Sequence, residues 1–367
     1  MNTYTYTPTL RLEGPFAATI GFFDGLHLGH RHLLKQLSVA AAERGQRTLV
    51  VTFDRHPRQT LQPSWTPQLL TTLDERRSLL DATAVDTLVV LPFTESMARL
   101  TAHEFMSAVL RDQLDVATLL TGYDNRFGTR STAASERTLQ EVHAAAASPS
   151  GVSPFDDYRR YGATIGLDVL LAEPLIVDGA AVSSSRVRRL LSDGDVAAAA
   201  RCLGRPYTLA GTVVHGEQVG RTLGFPTANV QCADPLKLIP RPGVYAVTVL
   251  PSPFSLQCVD GFSTPSPSLS PFSLPLLPLP ALMNIGTRPT FGHHGLTLEA
   301  HLLDFSGDLY GMVLQVDFIE RLRDEQHFPS AEALARQMQL DATAARRIFQ
   351  QASSSPSFSP LPDSNSH

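Results

Sequence analysis

The sequence predicts two architectures in series, a doubly wound α/β domain and then a small antiparallel β-barrel with a terminal helix. Three observations carry this expectation. In the first half, apolar runs rich in β-branched residues alternate with segments whose apolar positions recur at helical spacing. From Pro206 onward the runs are short, alternate apolar with polar residues, and are punctuated by Gly and Pro. Ser330 to Gln350 then returns to helical periodicity, with Ser330 in the N-cap position.

In chain order, Ala17 to Phe22, Thr48 to Phe53, Asp86 to Phe93 and Ala117 to Gly122 read as buried strands. Arg31 to Arg44, Asp74 to Ala82 and Ala102 to Leu110 read as the helices between them. Such alternation implies parallel strands joined by crossover helices. Leu167 to Ala172 adds a strand, Ser183 to Leu191 reads as a capped helix start, and the domain closes near Leu203. Thr208 to Val214, Val244 to Val249, Leu298 to Phe305 and Val313 to Glu320 are the period-two runs of the barrel. Ala144 to Phe155, Pro251 to Pro280 and Ala352 to His367 are rich in Ser and Pro. Pro removes ladder donors and such tracts cannot form a packed core, so they are expected as insertions and a tail.

A chain of 367 residues with 43% hydrophobic side chains has enough material for two cores. Its net charge of −5 gives no sign of a nucleic-acid or anionic-membrane surface, so neither is expected as a partner. Cys202, Cys232 and Cys258 form no C-x-x-C pair, and their odd number argues against a disulfide framework. No basic segment precedes an apolar stretch at the start, and no run of about 20 uninterrupted apolar residues occurs. A cytoplasmic location is expected.

The run Gly21-Phe22-Phe23-Asp24-Gly25-Leu26-His27-Leu28-Gly29-His30 follows the first strand and leads into a helix. Glycines let the backbone turn sharply and approach a ligand, and a helix start offers free N–H groups and partial positive charge. Gly21, Phe22, Asp24, Gly25 and Gly29 are therefore candidate phosphate-site residues. His27 and His30, three apart, are candidates to stabilise charge as a leaving group departs. Ser183-Ser184-Ser185-Arg186-Val187-Arg188 offers a second anion clamp through Ser184, Ser185 and Arg188.

The second half carries another set. Gly216, Gly220 and Arg221 lie in a Gly-rich loop before Pro226-Thr227-Ala228-Asn229 and suit a cradle for ATP phosphates. Thr227 and Asn229, two apart, share a strand face and offer the oxygen ligands that Mg²⁺ prefers. Glu299 and His301 share one face of a later strand.

The first set resembles nucleotidyltransferases marked by H-x-G-H and a later Ser/Thr-rich motif with Arg. Its longer form, with Val51 to Pro57 and Gly122 to Gly128, resembles the FAD synthetase domain of prokaryotic bifunctional riboflavin kinase/FAD synthetases. The stretch from about Arg205 to Phe349 resembles the riboflavin kinase domain. The resemblance implies a Rossmann-like nucleotidyltransferase domain over residues 1–203. It also implies a six-stranded antiparallel barrel with a terminal helix over 204–350, an insertion at 251–280 and a tail at 351–367. It implies ATP-dependent phosphorylation of riboflavin to FMN, then adenylylation of FMN to FAD, with Mg²⁺. Glu299 is then the expected general base, with Asp124, Asn125, Phe127 and Arg323 near the flavin. For Arg323 a simple salt bridge is an equal alternative. Asn125 stands where that family usually has an aromatic residue, and Ser185 where Thr is usual. Two other readings fit part of the pattern: a kinase whose first domain lacks synthetase activity, and a flavin-binding protein without catalysis. His27, His30, Thr227, Asn229 and Glu299 argue against the latter.

Overall fold

The computed structural model describes residues 1–122, 127, 154–215, 226–252, 277–287 and 296–354. The chain divides into two compact units, Met1–Ser184 and Ser185–His367. The sequence suggested a boundary near Leu203. The compact division comes earlier, and α8 (Val196–Leu203) packs on the second unit's strands β14 (Val313–Arg323) and β9 (Tyr207–Val214).

In the first unit six parallel strands are ordered β1-β4-β3-β2-β5-β6. They are β1 (Asn2–Thr5), β2 (Phe16–Ile20), β3 (Arg47–Phe53), β4 (Thr87–Leu91), β5 (Val116–Thr121) and β6 (Asp168–Leu171). Helices α1 (Leu28–Glu43), α2 (Pro57–Leu61), α3 (Leu73–Asp81), α4 (Glu95–Arg99) and α5 (Ala102–Glu104) lie between the strands. The last continues as a π-helical turn over Phe105–Arg111, α6 (Pro154–Ile165) precedes β6, and the short strands β7 (Ile176–Val177) and β8 (Ala180–Ala181) pair antiparallel after it. Phe16, Ala18 and Ile20 join Leu49, Val51 and Phe53 in one core, while Ala17, Val50, Leu88 and Val90 build the other. Both faces of the sheet are therefore covered, which is why the strands read as continuous apolar runs rather than alternating ones.

The strand β1 and helices α2, α4, α6 and α8 add to the expected elements. All four residues of β1 are exposed, so no apolar pattern marks it. The helix α6 takes in Pro154 and Phe155, the end of the expected Ser/Pro insertion. The helix α8 is capped by Asp195, whose carboxylate accepts from the Ala198 N–H, and is closed by Gly204 at φ 71°.

The second unit is a closed antiparallel barrel in the order β10-β13-β12-β11-β14-β9. Its strands are β9 (Tyr207–Val214), β10 (Ala228–Cys232), β11 (Gly243–Ser252), β12 (Leu279–Thr287), β13 (Leu296–Leu302) and β14 (Val313–Arg323). Tyr245, Val247, Met283, Ile285, Ala300, Leu314, Val316 and Phe318 are buried in its interior. Pro251, Ser252, Leu279 and Pro280, expected within the insertion, instead extend β11 and β12. Proline lacks only the donor: the Pro280 carbonyl accepts from the Leu303 N–H at 2.8 Å. Residues 253–276 of the insertion and 355–367 of the tail lie outside the described residues. The terminal helix α9 (Ala331–Ser354) packs Ala342 and Ala345 on Val244, Ala246, Leu282 and Leu303. The Ser330 hydroxyl accepts from the Ala333 N–H at 3.2 Å, the N-cap expected from the sequence.

Candidate active sites

The first site is built where β2 ends. Phe23, Gly25 and Leu26 all have left-handed φ, at 53°, 80° and 35°. For Phe23 and Leu26 such a backbone costs on the order of 1–3 kcal/mol each, so surrounding contacts must hold it. Asp24 does much of this. It is 2% exposed, and its carboxylate accepts from the Leu70 N–H at 3.0 Å and the Thr71 N–H at 2.9 Å. The Thr71 hydroxyl donates to it at 3.1 Å and accepts from the Gly25 N–H at 2.9 Å. Asp24, expected beside the phosphates, thus anchors the turn from beneath.

Past the turn, His27 caps α1: its Nδ1 accepts from the His30 N–H at 3.2 Å. The two imidazoles stack 3.6 Å apart at 16°, and the His30 ring meets Phe23 edge-on at 5.1 Å. Burial holds His30 well below the ordinary imidazole range, and His27 and Arg76 push it further down. His30 is therefore neutral at physiological pH, and its buried Nδ1 has no hydrogen-bond partner among the described residues.

The two motifs of the first set, far apart in sequence, meet here. The Ser184 hydroxyl donates to the Asp24 carbonyl at 2.9 Å. A Cβ on Gly29 would lie 2.9 Å from the Val182 carbonyl, so only glycine lets that segment approach α1. Ser184 opens the helix α7 (Ser184–Asp193), with Ser185 exposed and Arg188 half-buried on its first turns. Gly21 donates its N–H to the Val51 carbonyl at 3.0 Å, which seats the turn on the strand ends. Phe22 packs edge-on against His56 at 4.9 Å.

One residue went unnoticed in the sequence. Arg76 of α3 is 2% exposed, and its Nη1 donates to the Phe22 carbonyl at 2.5 Å. Its guanidinium also lies 4.2 Å from the centre of the Phe22 ring. Burial lowers it to about 10, against the opposing pull of Asp24 and Asp54. The signal was present: Leu73, Arg76 and Leu80 fall at i, i+3 and i+7, so a charge occupies an apolar-face position.

Of the expected flavin residues in this unit, Asp124 and Asn125 lie outside the described residues. Phe127 stacks on Tyr158 at 4.2 Å and 11°, and its N–H donates to the Tyr158 hydroxyl at 3.0 Å.

The second site lies on the outer face of the barrel. Along β13, Leu298, Ala300 and Leu302 are buried while Thr297, Glu299 and His301 alternate with them and are half-buried. Glu299 pairs directly with Asn229 of β10 on one side and with Asn284 of β12 on the other. Directly opposed residues share a face, with Cα atoms about 4.5–5.5 Å apart, so the carboxylate stands between two amides. The row continues through Val244 to Arg323. Asn284 was not singled out from the sequence, because only strand register reveals its neighbour.

His301 gains a role here. Its Nδ1 lies 2.8 Å from the Pro226 carbonyl, which ties down the entry to Thr227 and Asn229. Thr227 and Asn229 are both half-buried. Arg323 forms a salt bridge: its Nε and Nη2 donate to the buried Asp341 of α9 at 3.0 and 2.8 Å. The Gln337 amide donates to the same carboxylate at 2.9 Å. Gly216, Gly220 and Arg221 lie outside the described residues.

Comparison with known proteins follows the same division. The FAD synthetase family model matches residues 11–148, and the riboflavin kinase family model matches residues 203–349. The bifunctional riboflavin kinase/FMN adenylyltransferase of Pseudomonas fluorescens is 36% identical over 332 residues, spanning 90% of this chain and 92% of that protein. The protein of the same description from Escherichia coli strain K12 is 35% identical over 333 residues, with the same coverage. A solved chain from Streptococcus pneumoniae described as a macrolide-efflux protein has a TM-score of 0.73 at 26% identity. It covers 94% of this chain and 99% of its own. No helix among the residues described here is long and apolar enough to cross a membrane. Each family model falls within one unit, and the likeness to bifunctional relatives runs through both: the chain belongs to the bifunctional riboflavin kinase/FMN adenylyltransferase family.

Proposed function

We propose that the barrel unit transfers the γ-phosphoryl group of ATP to riboflavin, giving FMN. The α/β unit then transfers the adenylyl group of a second ATP to FMN, giving FAD and pyrophosphate. The observation that carries this reading is the separation of the two residue sets. His27, His30 and Ser184 gather in one unit, and Glu299 faces Asn229 in the other.

In the kinase step Glu299 orients the riboflavin 5′-hydroxyl and accepts its proton as that oxygen attacks the γ-phosphorus. Thr227 and Asn229 hold Mg²⁺. Their neutral oxygens suit an ion that takes most of its remaining ligands from phosphates and water, and no cluster of three His, Cys, Asp or Glu side chains competes among the described residues. When bound, Mg²⁺ neutralises charge on the phosphates. Gly216, Gly220 and Arg221 cradle the nucleotide. Asn284 flanks Glu299, and Arg323 with Asp341 keeps α9 against this face.

In the adenylyl step the FMN phosphate attacks the α-phosphorus and pyrophosphate leaves. No covalent enzyme intermediate is needed, so positioning and charge stabilisation carry the rate. His27 and His30 donate from the start of α1, with Gly21, Phe22, Gly25 and Gly29 shaping the turn. Ser184, Ser185 and Arg188 close on the phosphates, and Asp124, Asn125 and Phe127 line the flavin side. The residues assigned to the synthetase step fall within 1–203 and those assigned to the kinase step within 204–350, and the enzyme works in the cytoplasm on small substrates. Chromatography of riboflavin incubated with the protein, ATP and Mg²⁺ tests the reading. FMN should appear first and FAD after it, and supplied FMN should yield FAD. Accumulation of FMN alone would favour a kinase without synthetase activity.

A further inference from the structure

The geometry points to Arg76 as a positioning residue for adenylyl transfer: a buried cation that holds the Phe22 carbonyl and sets positive potential behind the stacked His27–His30 pair. This rests on the reading of the Gly21–His30 turn as the adenylyl-transfer site.

Arg76 is 2% exposed, yet its Nη1 meets only neutral oxygens: the Phe22 carbonyl at 2.5 Å and the Thr52 hydroxyl at 3.4 Å. Its Nε is buried with no hydrogen-bond partner among the described residues. A buried cation in neutral company is costly, and a protein tolerates that cost where something of opposite charge arrives to offset it. Asp24 and Asp54 attract Arg76 through space, but both carboxylates are engaged elsewhere. Asp24 is held by Leu70 and Thr71, while Asp54 accepts from the Phe93 N–H at 2.9 Å and the Arg55 N–H at 2.8 Å. The anion that completes the site is then the triphosphate of ATP.

The groups facing His30 are the stacked His27, the edge of Phe23 and the cation of Arg76. Burial and these neighbours keep His30 neutral, so in the resting site the permanent charge belongs to Arg76. With its value at about 10, Arg76 stays protonated throughout the neutral range. Its grip on the Phe22 carbonyl also steadies a turn whose next residue, Phe23, has left-handed φ. Arg76 thus couples the shape of the turn to its electrostatics. It acts through Phe22 and His30 rather than by touching substrate.

The test compares Arg76→Gln and Arg76→Lys with the parent chain in FAD formation from supplied FMN, ATP and Mg²⁺. Rates are followed across the neutral pH range, with thermal midpoints measured alongside. Arg76→Gln should lower kcat roughly 100-fold near neutrality, the lower end of what losing an electrostatic contact costs. Its deficit should narrow as pH falls, because without the neighbouring cation His30 takes up a proton more readily and supplies the missing charge. Arg76→Lys, which keeps the charge, should recover most of the rate. A Gln variant within about twofold of the parent at every pH would overturn the proposal. So would a Lys variant as slow as Gln with an equal loss of thermal midpoint, since the role would then be packing alone. His27→Ala/His30→Ala is the control for the site itself: undiminished FAD formation there would sink the site assignment, and this proposal with it.

Discussion

Asp24 illustrates how a motif residue can serve the site by serving the backbone. In the sequence it stands between glycines in a phosphate-type turn; in the structure it is buried and grips Leu70 and Thr71. Asp24→Ala should therefore cost about 3 kcal/mol of stability, because it strands buried N–H donors. Denaturant unfolding followed by a probe of the α/β unit would read this, and an unchanged midpoint would count against the anchor role. His30 makes a pH statement. Its folded value is depressed below the ordinary imidazole value of about 6.5, so the unfolded chain binds the proton more readily. Stability contributed by the neutral ring is then fully present above about 6.5 and lost as pH falls below it. His30→Gln should flatten that acid-side fall in thermal midpoint, and an identical pH dependence in both proteins would refute it.

At the scale of elements, the α9–barrel contact joins the apolar seam of Ala342 and Ala345 to a buried ion pair. Arg323 and Asp341 are mutually satisfied, with Gln337 completing the carboxylate. Removing one partner of such a pair typically costs about 3–5 kcal/mol, since it leaves a buried charge alone. Asp341→Leu should lower stability by that order, and adding Arg323→Met should recover part of it, as a double-mutant cycle with both single variants would read. Additive effects would mean that the two residues do not act as a pair. The elements also show what the sequence made legible. Long apolar runs covered on both faces announced β2 to β5, and period two announced β9 and β13. The strand β1 escaped because its pairing with β4 owes nothing to burial. Asn284 escaped because its place beside Glu299 comes from the β12–β13 register. Arg76 was marked by a charge at an apolar-face position, but its partner Phe22 lies 54 residues away.

At the scale of the molecule, His27, His30 and Ser184 lie in one compact unit and Thr227, Asn229 and Glu299 in the other, and the relatives match the chain through both. The motifs were legible because their chemistry demands fixed spacing: glycines around a turn, a hydroxyl and an amide two apart on a strand. What spacing could not convey was the joining of distant segments, such as Ser184 onto the Asp24 carbonyl or His301 onto that of Pro226. The central claim is that each unit performs one step independently. It is tested most directly by product chromatography of two variants given riboflavin, ATP and Mg²⁺, and separately FMN, ATP and Mg²⁺. Glu299→Gln should lose FMN formation by roughly 10²- to 10⁴-fold while still converting supplied FMN to FAD. His27→Ala/His30→Ala should make FMN at the parent rate and stop there. If either variant lost both reactions together, or neither, the assignment of one step to each unit would be contradicted.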